Sequence, residues 1–180
     1  MHFNFNINLS DKDYLDYNTF WMLKSPYGKK QTTKSRNILT VCFGIIALIF
    51  LLGGGFSLKS FVDLIPIIAV FLIIQLTFNY FLVQTLKSNI KSLNKNGKMA
   101  YSPIAQIEFD ENGFTETTPN NKTEQKYSSI ERVSVTGGAV YIHVNNIMAY
   151  ILPASCFDSK EQLDDFLAFI KTRCSNIDTY

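Results

Sequence analysis

Charge is absent from two long stretches of this sequence: Ile38 to Leu58, and Leu64 to Leu86, contain no Asp, Glu, Lys or Arg. Soluble domains rarely carry such runs, and each is long enough to match, as a helix, a hydrocarbon layer roughly 30 Å thick. Histidine is nearly missing, with two residues, and cysteine is sparse, with three: Cys42, Cys156 and Cys174. No two of these have metal-ligand spacing, and neither His-x-x-x-His nor Cys-x-x-Cys occurs, so the sequence gives no support for metal chemistry. Cys156 and Cys174 are expected on a reducing side, which argues against a disulfide framework. There is no Gly-x-Ser-x-Gly elbow and no glycine-rich phosphate loop. His143 and Cys156 are the best remaining catalytic candidates, and the acids Asp110 and Glu111 could form a carboxylate pair. A strand position explains His143 and a solvated turn the two acids, so no enzyme and no cofactor are expected.

The uncharged runs are read as helices because lipid offers no partner to backbone N–H and C=O groups, and two open strands would leave theirs unsatisfied. The remaining chain is too small to wrap two such helices as a soluble core. The spans are placed at 38–58 and 64–86, joined by a loop at 59–63. Thirty-seven mostly polar residues precede the first run, which is unlike a secretory signal.

The net charge of +2 is uneven. A basic belt of Lys24, Lys29, Lys30, Lys34 and Arg36 precedes the hairpin, and a second of Lys87, Lys91, Lys95 and Lys98 follows it. The intervening loop holds one lysine, Lys59. That bias places both termini in the cytoplasm of a multi-pass cell-membrane protein. The belts are expected to meet anionic lipid heads. Residues 99–180 carry six basic and eleven acidic residues, so no nucleic-acid partner is expected.

Phe3-Asn-Phe-Asn-Ile-Asn-Leu9 alternates apolar and polar residues as a half-buried strand does. Ser10 and Asp13 form a capping box for a helix from Asp11 to about Leu23, which Ser25-Pro26-Tyr27-Gly28 is read as ending. Gly53-Gly54-Gly55 is read as fraying at the outer end of the first span, and Pro66 as opening the second. Gln75 and Asn79 share one helix face. Polar residues at that depth turn toward another helix, here the first span or a second copy of the chain.

After Met99 short strands alternate with turns. Strands are expected at 104–109, 114–118, 123–127, 130–136, 139–144 and 147–152, as an antiparallel meander. Gly113 is read as a positive-φ turn residue, Gly137-Gly138 as a tight hairpin and Asn145-Asn146 as a two-residue turn. Asp158 to Glu161 is read as a capping box for a last amphipathic helix, from about Ser159 to Ser175, with Leu163, Phe166, Leu167, Ile170 and Cys174 on its apolar stripe.

The four regions are therefore 1–36, an N-terminal strand and helix; 37–86, the transmembrane hairpin; 87–98, a basic linker; and 99–180, a cytoplasmic β-domain. The fold class is α+β. This order, together with Asp11-Lys-Asp-Tyr-Leu-Asp-Tyr17, Tyr127-Ser-Ser-Ile-Glu-Arg-Val133, Ile151-Leu-Pro-Ala-Ser-Cys-Phe157 and the helix entry at Asp158 to Phe166, resembles the bacterial YcxB-like family. The resemblance implies a small pleckstrin-homology-like (PH-like) roll closed by the C-terminal helix, with the N-terminal strand joining its sheet, and it implies no activity. Modules of that fold bind phosphates through a basic early turn, whereas the corresponding Asp110-Glu-Asn-Gly113 is acidic and would repel them. The functional expectation is a membrane-anchored binding or scaffolding module whose partners are the bilayer and another membrane or cytoplasmic protein, or a second copy. The alternative is a subunit of an oligomeric transporter or channel that uses the Gln75/Asn79 face.

Overall fold

The computed structural model describes residues 2–97 and 101–180. The chain forms two compact units, Met1–Tyr17 with Asn96–Tyr180, and Asn18–Lys95.

The first unit is built from eight strands: β1 (Phe3–Asn8), β2 (Ile104–Phe109), β3 (Gly113–Thr117), β4 (Lys122–Lys126), β5 (Arg132–Val135), β6 (Ala139–His143), β7 (Ala149–Pro153) and β8 (Ile177–Thr179). They make two four-stranded sheets, ordered β1-β2-β3-β4 and β7-β6-β5-β8. The expected meander is thus divided in two, at a single 3-10 turn, Tyr127–Ser129. β8 has no counterpart among the expected strands. It is three residues long and pairs parallel to β5, with Ile177 opposite Val133.

β1 owes its place to its period of two. Phe5 and Ile7 are buried, while Asn4, Asn6 and Asn8 face outward, as alternate Cβ directions require. It pairs antiparallel with β2 over six residues, from Phe3 opposite Phe109 to Asn8 opposite Ile104. Beyond the last pair, the Leu9 N–H donates to the Pro103 carbonyl at 2.7 Å.

Both sheets contribute to one core: Phe5, Ile107, Phe109 and Phe114 from the first, and Val133, Val140, Ile142 and Leu152 from the second. Helix α5 (Lys160–Lys171) adds Phe166 and Ile170, both wholly buried. Phe166 meets Phe5 at 5.0 Å and Phe109 at 4.9 Å, with rings nearly perpendicular. Fully burying each such side chain stabilises the fold by about 1.5–3 kcal/mol before entropy is counted. The α5 cap lies one residue later than expected: Ser159, not Asp158, accepts from the Gln162 N–H, and the Gln162 side chain returns the bond to the Asp158 N–H.

Two further turn readings are corrected, and one holds. Gly113 has no positive φ. Glycine is needed there because a Cβ would stand 2.1 Å from the Gln125 carbonyl oxygen of the neighbouring strand. The Gly137-Gly138 hairpin is tight as expected: Thr136 closes it, its N–H donating to the Ala139 carbonyl at 2.9 Å. The Asn145-Asn146 turn is wider than two residues: the Val144 N–H reaches the Met148 carbonyl, and the Asn145 side chain accepts from the N–H groups of Ile147 and Met148.

Helix α1 (Asp11–Leu23) starts in the first unit with the Ser10/Asp13 box, in which the Asp13 carboxylate accepts from the Ser10 N–H at 2.9 Å. The second unit holds the rest of α1, then α2 (Pro26–Gly54), α3 (Leu58–Asp63) and α4 (Ile65–Lys95). Ser25-Pro26 begins α2 as well as ending α1. Ser25 Oγ accepts from the Gly28 N–H, and Pro26 sits where its missing N–H costs nothing. Lys29 to Arg36, expected as a lead-in to the membrane, is therefore the first part of α2. Gly28 permits the sharp reversal, since a Cβ there would lie 1.8 Å from the Trp21 carbonyl oxygen. At the far end α2 stops cleanly: Gly55 takes φ 70°, and Ser60 Oγ donates to the Gly54 carbonyl. Residues 59–63, expected as a loop, are helical because Ser57 caps α3 and Leu64 stays in helical geometry. The linker expected at 87–98 is helical as far as Lys95. Lys98 lies outside the described residues.

Candidate functional site

Two helices are long and apolar enough to cross a membrane, Pro26–Gly54 and the continuous Leu58–Lys95. Their apolar side chains are not used up in packing: Val41 is 61% exposed, Leu52 62% and Leu76 85%. A helical hairpin at the centre of a soluble protein would hide these residues.

Where α2 and α4 touch, the contacts run in antiparallel register. Phe43 meets Phe71 with ring centres 4.9 Å apart. Arg36 Nε donates to Gln75 Oε1 at 3.2 Å, and Arg36 Nη2 to the Gln75 carbonyl at 3.4 Å. Gln75 Nε2 in turn donates to Thr40 Oγ1 at 3.0 Å. Gln75 is thus engaged within the hairpin. Asn79, its expected companion, is exposed and forms no hydrogen bond among the described residues.

This register has a consequence for charge. Gln75 is the midpoint of the uncharged run from Leu64 to Leu86, whereas Arg36 lies just before the uncharged run of α2. The two apolar stretches are staggered by about ten residues, roughly 15 Å at the helical rise. Lys29, Lys30 and Lys34 consequently lie level with the second, still apolar half of α4. Lys87, Lys91 and Lys95 are on the last turns of α4. Neither helix contains an acidic residue, and none of these cations has an ion-pair partner among the described residues. The ion pairs seen are Lys12–Asp16 and Lys122–Glu124, elsewhere in the chain.

The catalytic candidates of the β-domain have structural employment. β6 is buried on both faces: Val140 and Ile142 face the core, and Tyr141 and His143 face the other way. There Tyr17 of α1 packs 5.2 Å from the Tyr141 ring and 6.3 Å from the imidazole of His143. His143 Nε2 pairs with Ser134 Oγ at 3.2 Å. Burial, and then the neighbouring Arg132 charge, push His143 down to about 4, so it is neutral at ordinary pH. Burial pushes the Cys156 thiol up to about 12, which removes it as a thiolate nucleophile. The Asp110 carboxylate accepts from the N–H groups of Asn112 and Gly113, and these bonds hold it below the usual range. It shapes the turn. Among the described residues no three of His, Cys, Asp and Glu gather to hold a metal ion.

The stretches behind the resemblance also contribute packing contacts. Tyr127 donates its hydroxyl to the Asp110 carbonyl at 2.6 Å and receives the Arg173 guanidinium over its ring at 5.5 Å. After β7 a 3-10 turn, Ala154–Cys156, delivers Phe157 against Phe5 at 4.9 Å. The whole is a two-sheet β-domain, closed by a helix, with an apolar helical hairpin between its first and second strands. Residues 109–170 match the YcxB-like protein family, which supports assigning the chain to that family. The match spans β3 to α5 and holds three of the four resembling stretches; Asp11–Tyr17 and the hairpin lie outside it. No curated protein and no solved structure matches the chain.

Proposed function

We propose that this chain is a membrane-anchored binding module without catalysis. The α2/α4 hairpin crosses the bilayer, and the β-domain, a PH-like roll, stands on the cytoplasmic face of a bacterial cell membrane and engages a protein partner. The observation that carries this reading is the β1–β2 ladder. It closes across the hairpin at the Leu9–Pro103 bond, so the chain leaves for the membrane and returns from it at one place. An excursion that starts and ends at one place crosses an even number of times, and the lysine bias selects the cytoplasm as that side.

The recognition element in this reading is the free edge of β4, Lys122-Thr-Glu-Gln-Lys126, whose outer backbone groups can pair with an extended segment of a partner. Its terminal lysines guard the edge against indiscriminate pairing. Anchoring raises the local concentration of partners that share the membrane. The transporter alternative loses support from Gln75, whose amide is engaged by Arg36 and Thr40.

The test is cross-linked recovery of partners from native membranes, comparing the full chain with one in which Glu124→Pro, at a position whose N–H points away from β3, blocks the β4 edge. Loss of a partner with the edge supports the module. Retention of every partner contradicts it.

A further inference from the structure

Lys29, Lys30 and Lys34 rise from one side of α2 above Ile38, Val41 and Cys42, and together they border an open depression of about 730 Å³. Its upper end is cationic and its lower end apolar. Around the helix, this side lies more than a quarter turn from Arg36, which faces α4. The protein supplies these lysines with no counter-charge: α2 and α4 contain no Asp or Glu, and no carboxylate of the described residues is within ion-pair distance of the three. The Arg36–Gln75 bond also holds them level with apolar turns of α4, where an uncompensated ammonium group is costly.

We infer that this side of α2 is a discrete binding site for an anionic phospholipid. The lysines take the phosphate and the rest of an acidic headgroup, and an acyl chain lies along Ile38, Val41 and Cys42. Charge complementarity selects the headgroup, and the apolar end selects a lipid over a soluble phosphate. The inference rests on the membrane-anchor reading and adds to it a specificity that a diffuse basic belt would lack.

The experiment uses the full chain in a neutral detergent, titrated with phosphatidylglycerol or phosphatidylcholine, with bound lipid counted by native mass spectrometry. The wild type is expected to retain phosphatidylglycerol in preference to phosphatidylcholine. The triple variant Lys29→Gln, Lys30→Gln, Lys34→Gln should lose roughly tenfold or more in phosphatidylglycerol affinity. The matched triple Lys87→Gln, Lys91→Gln, Lys95→Gln should change it by less than about twofold. The charge-keeping triple Lys29→Arg, Lys30→Arg, Lys34→Arg should retain binding, which separates loss of charge from loss of fold. Equal losses in both glutamine triples, or no preference between the two lipids, overturns the site. Carbonate washing of membranes tests the anchor separately. A chain that stays in the membrane yet shows no lipid preference overturns the site alone, and a chain that washes off overturns both.

Discussion

Phe166 on α5 and Leu76 on α4 are both large apolar residues in helices, yet the first is wholly buried and the second is 85% exposed. The β-domain takes its apolar side chains out of water with its own two sheets and one helix. The helical unit leaves them outward along two rods. The same hydrophobic effect acts on both. The difference is whether the unit's own folding hides these side chains, and it is visible in the polar atoms as well. In the β-domain the Ser134–His143 pair is sealed inside, while in the hairpin the polar contacts of Gln75 with Arg36 and Thr40 join one helix to the other.

The contrast is sharpest for truncation. Phe166→Ala should cost about 3–5 kcal/mol, because it leaves a cavity among Phe5, Phe109 and Phe157. Leu76→Ala should stay within about 0.5 kcal/mol. Denaturant unfolding of the full chain in detergent measures both, and equal costs would erase the distinction between the two regions. Next in size is a pH effect confined to the β-domain. The folded state holds His143 near 4 against an ordinary value of 6.5, so between these values the unfolded chain binds the extra proton. Stability should therefore be full above about pH 6.5 and fall as pH drops toward 4, by roughly 3 kcal/mol from this group. His143→Gln should flatten that slope, as followed by unfolding at stepped pH.

Within the helical unit, Gly28→Ala forces the α1–α2 reversal open and should cost about 1–3 kcal/mol, read as a lower midpoint of thermal unfolding in detergent. Smallest is the helix-to-helix contact. Gln75→Leu should cost about 0.5–2 kcal/mol of hairpin stability, and Asn79→Leu close to nothing. Cysteine cross-linking between Phe43→Cys and Phe71→Cys variants reports the loosening. An equal effect at Asn79 would point to a contact between copies.

The sequence disclosed whatever is written as periodicity. The Phe3/Phe5/Ile7 alternation announced β1, and the uncharged runs announced the hairpin. The family resemblance found its confirmation in 109–170, where the stretches around Tyr127 and Phe157 serve the core. Other features were less legible for physical reasons. β8 is too short for a period, and its pairing with β5 depends on α5 turning the chain back. The break between the two sheets is a single 3-10 turn, fixed by the Tyr127 hydroxyl, which only the folded chain brings to Asp110. The start of α2 was written plainly as Ser25-Pro26, but the same pair serves as a stop, and the polar face after it carries no apolar stripe. The Arg36–Gln75 level, and with it the stagger of the two apolar runs, depends on helix register that no local pattern encodes.

The central claim is that the hairpin leaves and rejoins one β-domain on one side of a membrane. Reporter fusions test it directly: alkaline phosphatase, active only outside the cytoplasm, and a fluorescent protein, active only within it, each inserted at Gly55 between α2 and α3 and fused after Tyr180. The account predicts phosphatase activity at Gly55 alone and fluorescence at Tyr180 alone; the same reporter active at both positions would contradict it.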